Sequence, residues 1–531
     1  MLRGCLGLMK FSSANGQRLR LVCLLSVVLL CLVVFEAVSL ACWLLIPFFP
    51  SVFNTYEEGF VSAVLNSEAW LFYSSVALAP VFAALMLFSW VPRLLVWLGE
   101  VYAGRRWQQG RVVFTVGIRK LSVDGLLAYV HSALNMVFEP VKKSSRRRWL
   151  ILALAVVLAL SIEVYPHLPA VSPSGRTIGV DVKAYATWLT DMNNSGSLSN
   201  AFSFAFFNLT DRSLGVFLMY LGWKAVGVSA WQAVEFLPLL LSPLLVLATF
   251  FFMRKAGFNF WAASLASLFA AFSFHATAGT FGGFLSNWLG LLFVYLSLGF
   301  LLWSLKELSW LLLGAAVGLQ IALLFVHLYT WEVIMAVLAV FFLIDLVKRV
   351  RSQRENREIK MIFVGLAVNV LARLVSSMVL GVGLESVGAT TISVESLSFF
   401  HLQNFWSILG HSLWRELGIS FMNPLLFSLA VLGVVAVSFR NELAPRFLTA
   451  YVVAVAVPFA LGDSVVQTRL LYDLPVHLFS VLGLALILKF VEGLLKSRDA
   501  KKLEWLLLAL VILANLNYAF RCSNYLAQNA L

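Results

Sequence analysis

Charge is what this chain has least of. Of 531 residues, 39 are Lys or Arg and 26 are Asp or Glu, 12% together. Soluble domains carry roughly 25% charged residues, so a water-solvated globule is excluded. Cysteine is sparse as well. Cys5, Cys23, Cys31 and Cys42 lie in or before the first apolar run, and Cys522 stands alone near the other end. That spacing supports neither a disulfide framework nor a zinc site. The chain has no P-loop and no G-x-S-x-G, H-E-x-x-H or C-x-x-C motif. Nucleotide, serine-hydrolase, zincin and dithiol chemistries of the soluble kind therefore have no support. There is no repeat of fixed period and no matching pair of broken helices in two halves, the main sequence pointer to a secondary transporter.

What the chain has in abundance is apolar length: 61% of residues are hydrophobic and the mean hydropathy is +0.90. A membrane-crossing helix needs about 20 apolar residues. On that rule the sequence predicts an all-α, polytopic membrane bundle of about thirteen spans. They fall at 21–46, 70–98, 149–162, 231–253, 258–274, 285–305, 308–326, 332–347, 361–380, 422–437, 447–461, 470–488 and 503–520. The first apolar run, 21–49, is too long for a cleaved signal and reads as a retained anchor. Residues 121–138 read as an interfacial amphipathic helix.

The formal net charge of +13 is explained by topology rather than by nucleic acid. Cations concentrate in 93–120, in Lys142 to Arg148, at Arg254 and Lys255, and in KRVRSQRENREIK at 348–360. By the positive-inside tendency these are cytoplasmic, and they meet anionic headgroups. The N-terminus is then cytoplasmic, the C-terminus outside, and the plasma membrane the expected location. No soluble basic module is present, so nucleic acid is not an expected partner; membrane lipids are. The segment 213–227 is apolar, but it is too short to cross and carries Lys224, so it reads as a helix lying along the outer surface.

One polar stretch, 163–212, interrupts this apolar background and emerges on the outer side. It carries Asp181, Lys183, Tyr185, Asp191, Asp211 and Arg212, with acceptor patterns for glycosylation at Asn193 and Asn208. Other polar groups expected on the same face are His275, Asn287, His327, Tyr329, His401, His411, Gln467, Arg469 and Tyr472. Ionisable groups beside lipid are costly and are functional candidates by default. The four histidines lack tight metal-ligand spacing. A hard cation, Mg²⁺ or Mn²⁺, held through Asp181 is the more natural metal expectation, since such ions choose oxygen ligands. Within the bilayer, Glu36 and Arg373 read as partners in helix-to-helix hydrogen bonds, and Glu163 as reaching the interface from a helix end.

Four stretches carry a resemblance: IGVDVKAYATWL (178–189), DRSLGVFLMYLGWKAVGVS (211–229), GFLSNWLGLLFVYLSL (283–298) and QTRLLYDLPVHLFSVLGLAL (467–486). Together with the layout, they make residues 146–520 similar to the C-type (GT-C) multi-pass glycosyltransferases. That group includes protein O-mannosyltransferases, aminoarabinose transferases of lipid A and oligosaccharyltransferase catalytic subunits. The resemblance implies a GT-C-like core over 146–531, with a long first extracytoplasmic loop bearing amphipathic helices, preceded by a two-helix extension over 1–145. It implies a polyprenyl-phosphate sugar donor and a glycan, lipid or protein acceptor. Asp181 then matches the acidic residue of the first outer loop, a general base or metal ligand. Arg469, with Arg212 second, is expected to hold the departing phosphate, and His327, Tyr472 and Asp211 to support substrate. The sequence departs from that family in three ways. Val182 and Lys183 follow Asp181 where many relatives have a second acid, Glu235 stands where the family has arginine, and no WWDYG-like motif occurs. Two other readings stay open at the sequence level. A transporter or lipid flippase requires a cavity open to the cytoplasm, and an inactive scaffold requires only the bundle. The enzyme reading requires Asp181 and Arg469 to face one cavity.

Overall fold

The computed structural model describes residues 14–48, 113–116, 119–138, 146–172, 175, 177–352, 357–380, 404, 423–437, 440, 442–495 and 498–528. Helix dominates throughout. The exception among the described residues is one antiparallel hairpin, β1 (Val113–Val116) with β2 (Arg119–Ser122), in which Val116 faces Arg119. Nine of the described helices are long and apolar enough to cross a membrane, and the number is ten if one bent pair counts as a single span. The chain is a multi-pass helical membrane protein.

The first three helices among the described residues are α1 (Ala14–Leu45), α2 (Val123–Phe138) and α3 (Arg146–Val164). Helix α2 buries Val130, Ala133, Leu134 and Val137, the i, i+3, i+4, i+7 stripe of an amphipathic helix. The amide of Asn259 donates to its Val137 carbonyl at 2.8 Å, so α2 docks on the bundle. Four shorter helices follow α3: α4 (Val182–Asn194), α5 (Leu198–Asn208), α6 (Ser213–Val226) and α7 (Ala230–Glu235). The starts of two of them are written in the sequence. Ser197 caps α5 by accepting from the Asn200 amide, and Ser229 and Gln232 form a reciprocal capping box on α7. The apolar segment expected to lie along the surface is α6, 14 residues long and short of a crossing.

The centre of the bundle is α9 (Phe260–Ala271), between α3, α8 (Pro238–Ala256) and a later helix, α18. Its residues 262–271 are all buried and are mostly Ala and Ser, small side chains that let neighbouring backbones approach. Helices α10 (Phe274–Gly282), α11 (Leu285–Glu307), α12 (Trp310–Val326), α13 (Leu328–Ser352) and α14 (Arg357–Leu380) follow, then α15 (Pro424–Val437) and α16 (Leu443–Leu461). The last three are α17 (Ser464–Asp473), α18 (Val476–Leu495) and α19 (Arg498–Gln528). Among the described residues, α15 and α18 cross at very close range. There a Cβ added to Gly433 would collide with the Phe479 carbonyl, and one added to Gly483 with the Leu429 carbonyl.

The span expected at 70–98 lies outside the described residues, as do 381–403 with His401 and 405–422 with His411. The spans expected at 308–326 and 422–437 form shorter apolar helices, Trp310–Val326 and Leu425–Val437. The span expected at 470–488 is not one helix: α17 and α18 meet at a 67° bend. The cause is Pro475, which has no N–H and pushes Leu474 into extended backbone (φ −72°, ψ 128°). The loop expected from His275 onward is instead the buried helix α10, and His275 itself is wholly inside. Glu163 is also buried, with the Thr280 hydroxyl donating to its Oε2 at 2.6 Å, rather than reaching an interface. Glu36 takes a hydrogen bond from Asn517 between α1 and α19, whereas Arg373 donates to Ser377 within its own helix.

Candidate functional site

Asp181 is placed by backbone, not by its side chain. The amides of Val180 and Asp181 donate to the carbonyls of Phe281 and Gly282 at 2.9 and 3.1 Å, stitching residues 180–181 to the end of α10. This approach needs glycine at 283, where φ is +65° and an added Cβ would lie 3.0 Å from the Asp181 amide nitrogen. Asp181 is the N-cap residue of α4 yet makes no side-chain capping bond, so its carboxylate is not spent on the helix. Helix α4 is held beneath it by the stripe Val182, Tyr185, Ala186, Leu189 and Met192.

One turn along α4, the Tyr185 hydroxyl donates to Ser286 Oγ at 3.0 Å and accepts from the Ser286 amide at 3.2 Å. Arg212, just before α6, reaches the same hydroxyl at 3.4 Å and lies over the Trp188 ring at 5.6 Å. Its Nε and Nη2 both donate to Asp211 Oδ2, at 3.0 and 2.7 Å. Arg212 is therefore an engaged cation whose charge is largely met by its chain neighbour.

Arg469 differs. It sits on α17, half-buried, with its guanidinium 5.7 Å from the centre of the Tyr329 ring, and it makes no ion pair among the described residues. Tyr472, one turn further on, is buried and donates its hydroxyl to the His275 carbonyl at 3.1 Å. His327 lies between α12 and α13. Its Nδ1 is 2.8 Å from Thr330 Oγ1 and 3.3 Å from the Thr330 amide nitrogen. Thr330 Oγ1 in turn is 3.0 Å from Asp473 Oδ1.

These parts converge. Asp181, Tyr185, Arg212, His327, Arg469 and Tyr472 line one cavity of about 130 Å³, with Phe274, Phe284, Asn287, Tyr329 and Thr468 completing its wall. The chain matches no known protein family and no curated protein sequence. The reading of the cavity rests on its chemistry alone.

The electrostatics of the cavity are uneven. Burial pushes the Asp181 carboxyl above the usual carboxylate range, and the Arg212 charge partly offsets that rise. Burial, with help from the positive charges of Arg212 and Arg469, lowers His327 to about 3, so its imidazole is neutral at physiological pH. Among the described residues, the cavity thus offers one carboxylate without a capping bond, one guanidinium without an ion pair, one paired guanidinium and a neutral imidazole. A space of this size is well below the roughly 300–1,000 Å³ that encloses a whole drug-sized ligand. It suits a headgroup or a single reacting bond.

Of the residues singled out from sequence, the structure gathers Asp181, Arg212, His327, Arg469 and Tyr472 around the cavity, with Asp211 holding Arg212. Glu235, where the resembled family has arginine, instead accepts from the Ile178 amide at 3.3 Å and faces His167 at 3.6 Å. Sequence reasoning did not single out Thr330, Thr468 or Asp473. Asp473 left a signal nonetheless: an acid four residues after Arg469, two before a proline, inside an apolar run.

Proposed function

We propose that this protein is a plasma-membrane glycosyltransferase of about thirteen spans, with a GT-C-like core over 146–531. It moves a sugar from a polyprenyl-phosphate donor to a glycan, lipid or protein acceptor on the extracytoplasmic side. The observation that supports this reading is one cavity walled by two complementary groups. Among the described residues, the Asp181 carboxylate makes no capping hydrogen bond and the Arg469 guanidinium makes no ion pair. In the reaction, Asp181 takes the proton of an acceptor hydroxyl as its oxygen attacks the anomeric carbon. The bond from that carbon to phosphate oxygen breaks, and the lipid phosphate leaves with the electron pair. A guanidinium meets a phosphate through two parallel hydrogen bonds and stays charged, which suits Arg469 to hold the leaving group. Orientation follows the cationic segments at 348–360 and 142–148, which keep the N-terminus cytoplasmic.

A divalent ion is compatible with the same wall. The described residues hold no cluster of three or more His, Cys, Asp or Glu, so Mg²⁺ or Mn²⁺ would rest on Asp181 and on substrate oxygens. Such ions often bind through one or two carboxylates plus phosphate, and there they neutralise developing negative charge.

The test is transfer from a polyprenyl-phosphate sugar by purified protein in nanodiscs. Asp181→Asn removes the base and lowers turnover by about 10²–10⁴-fold while insertion and thermal unfolding stay as in the parent. Undiminished transfer by that variant removes Asp181 from the mechanism. Movement of the lipid between leaflets with its phosphate–sugar bond intact selects the transporter reading. Indifference to changes at both Asp181 and Arg469 selects the scaffold.

A further inference from the structure

The hydrogen bonds behind His327 fix more than its position. Thr330 and Asp473 are each only 1% exposed. Three contacts meet at Thr330 Oγ1: His327 Nδ1 at 2.8 Å, Asp473 Oδ1 at 3.0 Å and Asn287 Oδ1 at 3.3 Å. A hydroxyl has one proton to give and two lone pairs to receive with. The Thr330 amide, 3.3 Å from Nδ1, can only donate, so Nδ1 is an acceptor. A hydroxyl 2.8 Å from an accepting Nδ1 must give it its proton, because two facing lone pairs repel.

The remaining two contacts are then donations to the hydroxyl. That assignment makes Asp473 a neutral carboxyl giving its proton to Thr330 Oγ1, and requires the Asn287 amide to be turned so that its N–H, rather than Oδ1, faces the hydroxyl. Every hydrogen-bonding site of Thr330 Oγ1 is filled in this arrangement. With Nδ1 accepting, a neutral imidazole carries its proton on Nε2. That nitrogen has no partner among the described residues, and His327 lines the cavity beside Arg469. Helix α11 packs against the root of the same side chain, where a Cβ on Gly290 would lie 3.1 Å from His327 Cβ.

We propose that Asp473 and Thr330 are positioning residues that fix His327 as a neutral Nε2–H donor to a phosphate oxygen bound at Arg469. The chain runs Asp473 to Thr330 to His327 to the anion. Arg469 supplies charge, and His327 supplies direction without adding a second positive charge. The substrate class, a phosphate monoester or diester, rests on the glycosyltransferase reading; the hydrogen-bond chain itself is measurable without any reaction.

The experiment uses full-length protein in nanodiscs labelled with ¹⁵N-histidine. The chain contains seven histidines, so His327 is assigned by the signals missing from His327→Gln. The expected state has Nε2 protonated and Nδ1 as an unprotonated, hydrogen-bonded nitrogen, with the Nε2 signal moving on addition of a short isoprenyl monophosphate. Inorganic phosphate forms a second arm: movement with both ligands assigns recognition to the phosphate, and movement with the isoprenyl ester alone assigns it to a lipid phosphate. A proton on Nδ1 in the resting protein overturns the proposal, as does an Nε2 signal indifferent to both ligands. Thr330→Ser and Asp473→Asn retain a donor at each step and keep phosphate affinity within about twofold. Thr330→Val and Asp473→Leu lose it by about tenfold, the worth of one hydrogen bond to a charged group. Equal affinity in Asp473→Asn and Asp473→Leu removes Asp473 from the chain. The two readings fail separately: phosphate binding at an Nε2–H His327 without sugar transfer overturns the enzyme assignment and supports the chain. Transfer with Nδ1 protonated does the reverse.

Discussion

The sharpest contrast in the cavity is between its two arginines, and replacing each by methionine tests what each is for. Arg469 makes no ion pair among the described residues, so Arg469→Met breaks no salt bridge and gives up the contact with Tyr329 at 5.7 Å and a longer-range attraction for the Asp473 carboxyl. A cation–π contact is worth about 0.5–1 kcal/mol at an exposed site and about 2 when desolvated, so the loss of stability stays below about 2 kcal/mol. The loss of ligand is larger. Two unit charges 4 Å apart at an effective dielectric of 20 interact by about 4 kcal/mol before desolvation. Hydrogen bonds to charged groups have a net worth of about 1.5–3 kcal/mol. At 1.4 kcal/mol per decade, the Kd for a lipid phosphate rises about 10–150-fold. Arg469→Lys keeps the charge and loses the planar fork, so it falls between. Arg212→Met has the opposite signature. It removes both guanidinium contacts to Asp211 and the contact to Tyr185, at side-chain exposures of only 17% and 21% for the ion pair. A hydrogen-bonded charge pair opened at that depth costs about 1–3 kcal/mol of stability. Isothermal titration with a short isoprenyl phosphate, paired with thermal unfolding in the same nanodiscs, reads both quantities. An Arg469→Met protein that binds the phosphate within twofold of the parent, with its unfolding unchanged, would refute the assignment of the anion to Arg469.

The other predictions concern pH, metal and packing. Asp181 must be ionised to take a proton, and its folded pKa is raised, so the acid limb of kcat/KM falls above the ordinary aspartate value of about 3.9. The same sign applies to stability: Asp181 favours the fold below its unfolded pKa, and that contribution is lost as pH rises through the raised folded value. A limb at or below the ordinary value removes Asp181 as the base. A divalent ion resting on one carboxylate is lost on dialysis against EDTA, and transfer returns with Mg²⁺ or Mn²⁺; full activity in EDTA takes the metal out of the reading. Gly483→Val drives a side chain into the Leu429 carbonyl and lowers stability by about 1–3 kcal/mol or more. Gly314→Ala, on α12 with nothing within 4 Å of the added Cβ, is neutral or stabilising by up to about 1 kcal/mol. Equal unfolding temperatures for the two variants would contradict the close α15–α18 crossing.

The sequence by itself determined that this chain belongs in lipid. An excess of apolar residues over charged ones cannot be hidden in a water-facing surface, and runs of about 20 such residues have one low-cost solution in a bilayer. It also determined where α5 and α7 start, because N-capping is a local affair of Ser197, Ser229 and Gln232. The polar stretch at 163–212 was legible for the same reason: Asp181, Asp211 and Arg212 stand out against their neighbours. Long-range contact decided the rest. Composition could not show that the apolar run at 470–488 breaks at Pro475, since proline is tolerated inside α8 and α16, at Pro243 and Pro458. Arg212 and Arg469 look alike as residues; only the fold sets Asp211 against one and leaves the other without an ion pair among the described residues. Asp473 and His327 are 146 positions apart in the chain, and a hydroxyl on α13 is what joins them. A pattern read along the chain reports what each residue prefers as solvent. Which protons it shares depends on neighbours that the pattern does not contain.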